Sequence, residues 1–188
     1  MVEELKNIVE KLLVMSDNEL MKELPKHIPS LMGHVKELMD AIPNLVPRMI
    51  KRLEESDVKR FVKEAPEAAK GFTNLVWEGV SILAEKSPDV KSDMEKLGSV
   101  TMNFKATDSP LEVNMKISGG KVTGSWGLAE KADLEFSGST ENIMGLLLGS
   151  IDPLRGFMLR KFSMKGGMSL GMKVAPVMSK LAKMARGG

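Results

Sequence analysis

The sequence predicts an α+β fold: a helical N-terminal region, residues 1–86, then a five-stranded, mainly antiparallel sheet with helices covering one face, residues 87–188. Three observations predict it. Apolar residues recur at helical spacing as far as Leu97. From Val100 the period becomes two, in about five short segments that are each polar on one side and apolar on the other. Leu- and Met-rich helical segments lie between and after those strands. A sheet with one wet face must bury the other, and these helices are the available cover.

The elements follow in order. Leu5, Ile8, Val9, Leu12 and Leu13 mark one face of a first helix. Ser16-Asp17-Asn18-Glu19 is a capping box, so a second helix starts there, and it is expected to stop before Pro25. Pro29-Ser30 opens a third, carrying Leu31, Val35, Leu38 and Met39, and Pro47 opens a fourth with Ile50 and Leu53. Asp57 is the expected N-cap of a helix over 58–65. Ala68 to Glu85 is the longest helical stretch, with Phe72, Leu75, Val76, Val80 and Leu83 inside it. Ser87-Pro88 begins a helix that ends at Gly98, a residue type suited to the C′ position.

Strands come next. Val100, Met102, Phe104 and Ala106 alternate with polar residues, as do Leu111, Val113, Met115 and Ile117. Gly119-Gly120 is a hairpin signature before Val122 and Trp126. Leu134 with Phe136, and Phe162 with Met164, complete the set. Ser139-Thr140-Glu141 starts a helix to Gly149 that is apolar around most of its circumference and therefore expected to be buried on more than one side. A turn at Asp152-Pro153 precedes Leu154, Phe157 and Met158. The last helix starts near Gly167 with Met168, Met172 and Ala175 on one face, and Pro176 is expected to kink or end it.

Composition limits the chemistry. With no cysteine there is neither a disulfide nor a thiolate metal site. The N-terminus lacks a secretory h-region, and the densest apolar run, Ile143 to Leu148, is far too short to span a bilayer, so a cytoplasmic protein is expected. Residues 1–97 hold 15 basic and 18 acidic side chains, a net of −3, whereas residues 98–188 hold 12 and 7, a net of +5. No acid follows Asp152, while Arg155, Arg160, Lys161, Lys165, Lys173, Lys180, Lys183 and Arg186 do. Such a strip is either a solvated surface or a contact for anionic lipid headgroups. It lacks the interleaved aromatics of single-strand binders, so no nucleic-acid partner is expected. His27 and His34 are the only histidines, with no patterned carboxylate beside them, so no metal is expected. Nucleophile elbow, dinucleotide fingerprint and phosphate loop are all missing from the motifs, and the expectation is a protein without catalytic residues or cofactor.

The second half resembles the sterol carrier protein (SCP2-type) family over roughly residues 97–181. The resemblance is carried by Gly149-Ser150-Ile151-Asp152-Pro153, Gly156-Phe157-Met158, and Lys161-Phe162-Ser163-Met164-Lys165-Gly166-Gly167-Met168-Ser169-Leu170. The family pattern there is a leucine-rich helix, a G-K-x-(D/N)-P turn, an A-F-x-x-G-K segment and a strand closing on K-G-(D/N)-M-x-L. This chain departs from it at Ser150, Gly156, Arg160, Gly167 and Gly171, and the glycines are expected to loosen the last helix or widen a cavity. The resemblance implies a curved sheet and helices around a hydrophobic tunnel that holds sterols, fatty acids, acyl-CoA or phospholipids with loose selectivity.

Residue chemistry agrees with that implication. Methionine adapts to varied apolar partners, and seven methionines of the second half fall on expected inward faces. The expected ligand-binding residues are Phe104, Met115, Trp126, Phe136, Ile143, Leu147, Phe157, Phe162, Met168 and Met172. The expected function is intracellular lipid binding or transfer, with transient anionic membrane contact through the basic C-terminal segment. The alternative is a non-catalytic accessory subunit presenting a lipid precursor to a biosynthetic enzyme. The N-terminal helices are then a lid, a homodimer surface or a partner surface.

Overall fold

The computed structural model describes residues 1–188. Seven helices come first: α1 (Val2–Val14), α2 (Asp17–Leu31), α3 (Val35–Ala41), α4 (Leu45–Glu54), α5 (Val58–Glu64), α6 (Pro66–Glu85) and α7 (Pro88–Leu97). The strands β1 (Val100–Ala106), β2 (Glu112–Ser118), β3 (Lys121–Trp126) and β4 (Leu134–Gly138) follow. Then come α8 (Thr140–Leu148), α9 (Pro153–Met158), β5 (Phe162–Gly166) and α10 (Met168–Ala185). The sheet order is β3-β2-β1-β4-β5. Every pairing is antiparallel except β1 with β4, which are joined by the β2–β3 hairpin, so the fifth strand's antiparallel return restores the dominant pattern.

Register puts one apolar row on one face. Phe104 sits opposite Val113 on β2 and Phe136 on β4, and Met102 opposite Met115 and Leu134. The β2–β3 turn is tight because Gly119 and Gly120 take φ of 59° and 73°, as a type I′ hairpin requires. On the other face, buried Asn103 pairs its side-chain amide with both backbone groups of Ala129, pinning the β3–β4 loop.

Helix α2 differs from expectation by running through Pro25 and Pro29. The two rings are four residues apart, so the carbonyls left without a helical donor lie on one side, where Pro29 is exposed and Pro25 half-buried and water has access. The capping box at Ser16 and burial of Leu20, Leu24 and Leu31 hold the helix despite the lost bonds. Likewise α10 continues through Pro176, which is exposed, while Val174, Val177, Met178, Leu181 and Ala185 form its buried stripe.

The hydrophobic core runs without a break from α1 to α10, across residues 86 and 87. The long helix α6 makes this continuity. It lies along edge strand β3, where Ser81 Oγ donates to the Val122 carbonyl at 2.6 Å and Asn74 Oδ1 accepts from the Trp126 N–H at 3.0 Å. These side chains satisfy strand groups that an edge would otherwise leave open. The Trp77 ring fills the notch at Gly124, where a Cβ would stand 2.1 Å from the indole. Any side chain at position 124 would therefore displace the helix from the sheet.

Candidate functional site

Between the apolar face of the sheet and its helices an apolar cavity of about 70 Å³ remains. Val113 and Met115 of β2 form its floor, with Leu111 just before that strand. Val76, Trp77 and Val80 of α6 and Ile50 and Leu53 of α4 close one side. Met144, Leu146, Leu147 and Leu148 of α8 and Met178, Leu181, Ala182 and Ala185 of α10 close the other. Thr73 is the one polar residue in the wall. An apolar space of this kind offers water little and favours an apolar guest.

The ten residues expected from the sequence are divided by the structure. Met115 and Leu147 line the cavity. Phe136, Phe157, Phe162, Met168 and Met172 border a smaller recess of about 20 Å³ between β5, α9 and α10. Met178, a flexible thioether, is in the wall of both spaces. Phe104 and Ile143 are wholly buried in packing. The Phe104 ring stacks on Phe136 at 5.1 Å, and Phe162 meets Phe136 edge-on at 5.7 Å, so these aromatics form a row across β1, β4 and β5. Trp126 is half-buried at the end of edge strand β3. Met168 and Met172, expected to point inward, are 52% and 50% exposed, because the buried stripe of α10 begins only at Val174.

Two glycines expected to widen the cavity are filled instead. Phe162 lies against Gly156, and the Met164 thioether occupies the place of a Cβ at Gly171. Beyond further residues of β2 and α8, the side chains missing from the expected set are those of α4 and α6 and the distal half of α10. Their spacing was visible as an apolar stripe in each helix, but nothing in the stripe says which surface it meets.

The site is tied together by charge at its rims. Arg186 at the end of α10 pairs with Glu54 of α4, and its Nη1 donates to the Leu148 carbonyl at 2.9 Å. Lys180 pairs with Asp93 and, at 2.8 Å, with Asp89, both of α7. The helix that roofs the cavity is thus held at two points by exposed ion pairs, which are individually weak.

On the far rim, Asp108 joins α5 to α8. It accepts from the Thr140 N–H and hydroxyl at 2.7 Å each, and Lys59 Nζ stands 3.0 Å away. The Thr140 hydroxyl, then the Lys59 ammonium, hold the Asp108 carboxyl well below the usual carboxylate range. A depressed folded-state pKa contributes stability that is present above the unfolded value and lost as pH falls toward the folded one. Asp108→Asn is therefore expected to lower the denaturation midpoint at neutral pH. The gap from the native protein should close as pH falls below about 4; denaturant titrations at several pH values check this, and a pH-independent gap would contradict it.

No helix is long and apolar enough to cross a membrane. No group of three or more His, Cys, Asp or Glu side chains is placed to hold a metal ion.

A sterol carrier protein 2 crystal structure aligns at 17% identity over 58% of this chain and 92% of that one, with a TM-score of 0.47. A UbiJ-SCP2 ubiquinone synthesis protein aligns at 14% identity over 57% and 91%, with a TM-score of 0.44. An inverting sec-alkylsulfatase from Pseudomonas sp. aligns at 13% identity over 94% of this chain but 31% of that one, with a TM-score of 0.41. Comparison with curated protein sequences finds no match. The SCP-2 sterol transfer family matches residues 81–179. That span runs from the last turn of α6 through all five strands into α10, and the chain belongs to the SCP-2 sterol transfer family.

Proposed function

We propose that this chain binds and transfers lipid, holding a long apolar ligand, such as a fatty acyl, isoprenoid or sterol-like chain, between the sheet and helices α6, α8 and α10. The observation that carries the reading is the cavity itself, walled by apolar side chains with Thr73 the single exception. Each buried methylene contributes about 0.8 kcal/mol, so a sixteen-carbon chain offers on the order of 12 kcal/mol before ordering and association costs. Affinity then needs no dedicated polar contact, and selectivity among chain lengths is weak. Apart from the Thr73 hydroxyl the cavity wall is aliphatic, thioether or indole, side chains suited to holding an apolar ligand.

The cavity of about 70 Å³ is smaller than the several hundred Å³ typical of ligand pockets. Occupancy therefore requires expansion. Met115, Met144 and Met178 line the space and can change rotamer at little cost. Helix α10 can move outward once its two exposed ion-pair ties open, which would join the cavity to the recess beyond Met178. The N-terminal helices serve as the facing wall, because α4 and α6 line the same space.

Mass spectrometry of an organic extract of the purified full-length chain should show co-purifying long-chain lipid in stoichiometric amount. A clean extract from protein that also takes up no added fatty acid would contradict carriage. Presentation of a bound precursor to a biosynthetic enzyme uses the same site; transfer between vesicles by the purified chain alone favours the carrier.

A further inference from the structure

The surface of α9, β5 and the first turns of α10 carries apolar side chains that no part of the chain covers. Leu154, Met158, Leu159, Met168 and Met172 are each between 40% and 72% exposed. Leu154, Met168 and Met172 border the same small recess, and Met158 follows Leu154 by one helical turn, so the five form one neighbourhood. Clustered exposure on this scale marks an interaction surface, whereas scattered exposed residues need no explanation.

The charges on the same three elements are all of one sign. Arg155, Arg160, Lys161, Lys165 and Lys173 lie on or between them, and Asp152, which caps α9, is the last acid of the sequence. None of these five cations makes an ion pair, whereas Lys180 and Arg186, farther along α10, are engaged with Asp89, Asp93 and Glu54. In the basic C-terminal strip the five proximal cations are therefore all free, whereas of the three distal ones Lys180 and Arg186 are committed to the fold and Lys183 is not.

Backbone conformation singles out the tip. Met158, Leu159, Arg160 and Lys161 are consecutive and exposed at the turn from α9 into β5. Arg160 takes φ of 54°, one of only two non-glycine residues with positive φ. A glycine would hold that turn without strain, yet the position carries a cation.

We infer that this tip and its surroundings are a docking surface for an anionic lipid bilayer, with Met158 and Leu159 entering the headgroup boundary and the five free cations meeting acidic headgroups. Apolar side chains flanked by cations that make no ion pair match the two layers of such a surface, with Asp152 at the start of α9 and Glu135 across from Lys165 the acids nearest to it. The inference extends the lipid-carrier reading but does not depend on it, because docking needs no ligand in the cavity.

Co-sedimentation of the full-length chain with vesicles tests it. The chain should bind vesicles of equimolar phosphatidylcholine and phosphatidylglycerol, ignore pure phosphatidylcholine, and be released by salt. Each basic side chain near an anionic surface is worth a factor of about five, so Arg160→Gly should lower partitioning about fivefold and the pair Arg160→Gly, Lys161→Ser about 25-fold. Arg160→Gly should at the same time raise the thermal midpoint, since it relieves the strained turn, which separates lost docking from lost folding. Met158→Ser with Leu159→Ser should weaken retention while leaving fatty-acid uptake in solution unchanged, because neither residue lines the cavity. Equal binding to both vesicle types, or unchanged partitioning in the Arg160 and Lys161 variants, would overturn the inference. So would self-association through this face, seen by light scattering as a dimer that the Met158 and Leu159 substitutions dissolve.

Discussion

Replacing Val76 by phenylalanine is expected to reduce affinity for a long-chain fatty acid by about 50-fold while the protein remains folded. Val76 projects from α6 into the cavity opposite Val113 and Met115 of the sheet and is buried. A phenyl ring there takes the place of about three ligand methylenes, each worth about 0.8 kcal/mol. Enlarging a packed side chain ordinarily costs about 1–3 kcal/mol, but here the added atoms enter a space that is already empty. Calorimetric titration of native and Val76→Phe protein checks the prediction. An unchanged dissociation constant would show that the ligand lies elsewhere, and a variant more stable than the native protein with binding lost would be the strongest support.

The second large effect concerns the fold rather than the ligand. Phe104→Ala should destabilise the protein by about 3–5 kcal/mol, a large share of the roughly 5–15 kcal/mol that holds a domain folded. Phe104 is fully buried at the centre of β1, stacked on Phe136 and opposite Val113. Its removal opens a void between the sheet and the helices that cover it. For a chain of this size a loss of that order lowers the thermal midpoint by roughly 10 °C or more. A shift within a degree or two would mean that α8 and α10 settle onto the sheet and close the gap, and that the roof is more mobile than its packing suggests.

The sheet was legible because strand periodicity is local. Polar and apolar residues alternate along Val100 to Ala106 and Glu112 to Ser118, and the Gly119-Gly120 turn fixes their hairpin partner. The N-cap at Asp57, where the carboxylate accepts from the Arg60 N–H at 3.0 Å, and the end of α8 at Gly149 were legible for the same reason. Helix α2 was not, since a rule about proline in isolated helices yields to the burial of Leu24 and Leu31 on either side of Pro25 and Pro29.

For the site, the sequence carried the kind of side chain but not which helices bring those side chains together. Its apolar, Met-bearing character follows from composition, and Met115 and Leu147 stand in the wall. Helix α6 was missed as a wall because an amphipathic stripe does not name its partner. The one local sign was Gly124, a glycine inside a strand, which marks close approach by another element and is filled here by Trp77. Met168 and Met172 misled because they share helical spacing with Ala175, although the stripe that reaches the core is offset to Val174, Val177 and Met178. Where family resemblance implies a tunnel, this structure has two small spaces that share Met178 in their walls.

Whether those spaces admit a chain is decided most directly by titrating the purified protein with a fluorescent long-chain fatty acid and following energy transfer from its two tryptophans, Trp77 in the cavity wall and Trp126 beside it on β3. Saturable transfer at one site is expected, retained in Trp126→Phe and largely lost in Val76→Phe. Absence of saturable transfer, or transfer that Val76→Phe leaves intact, would contradict it.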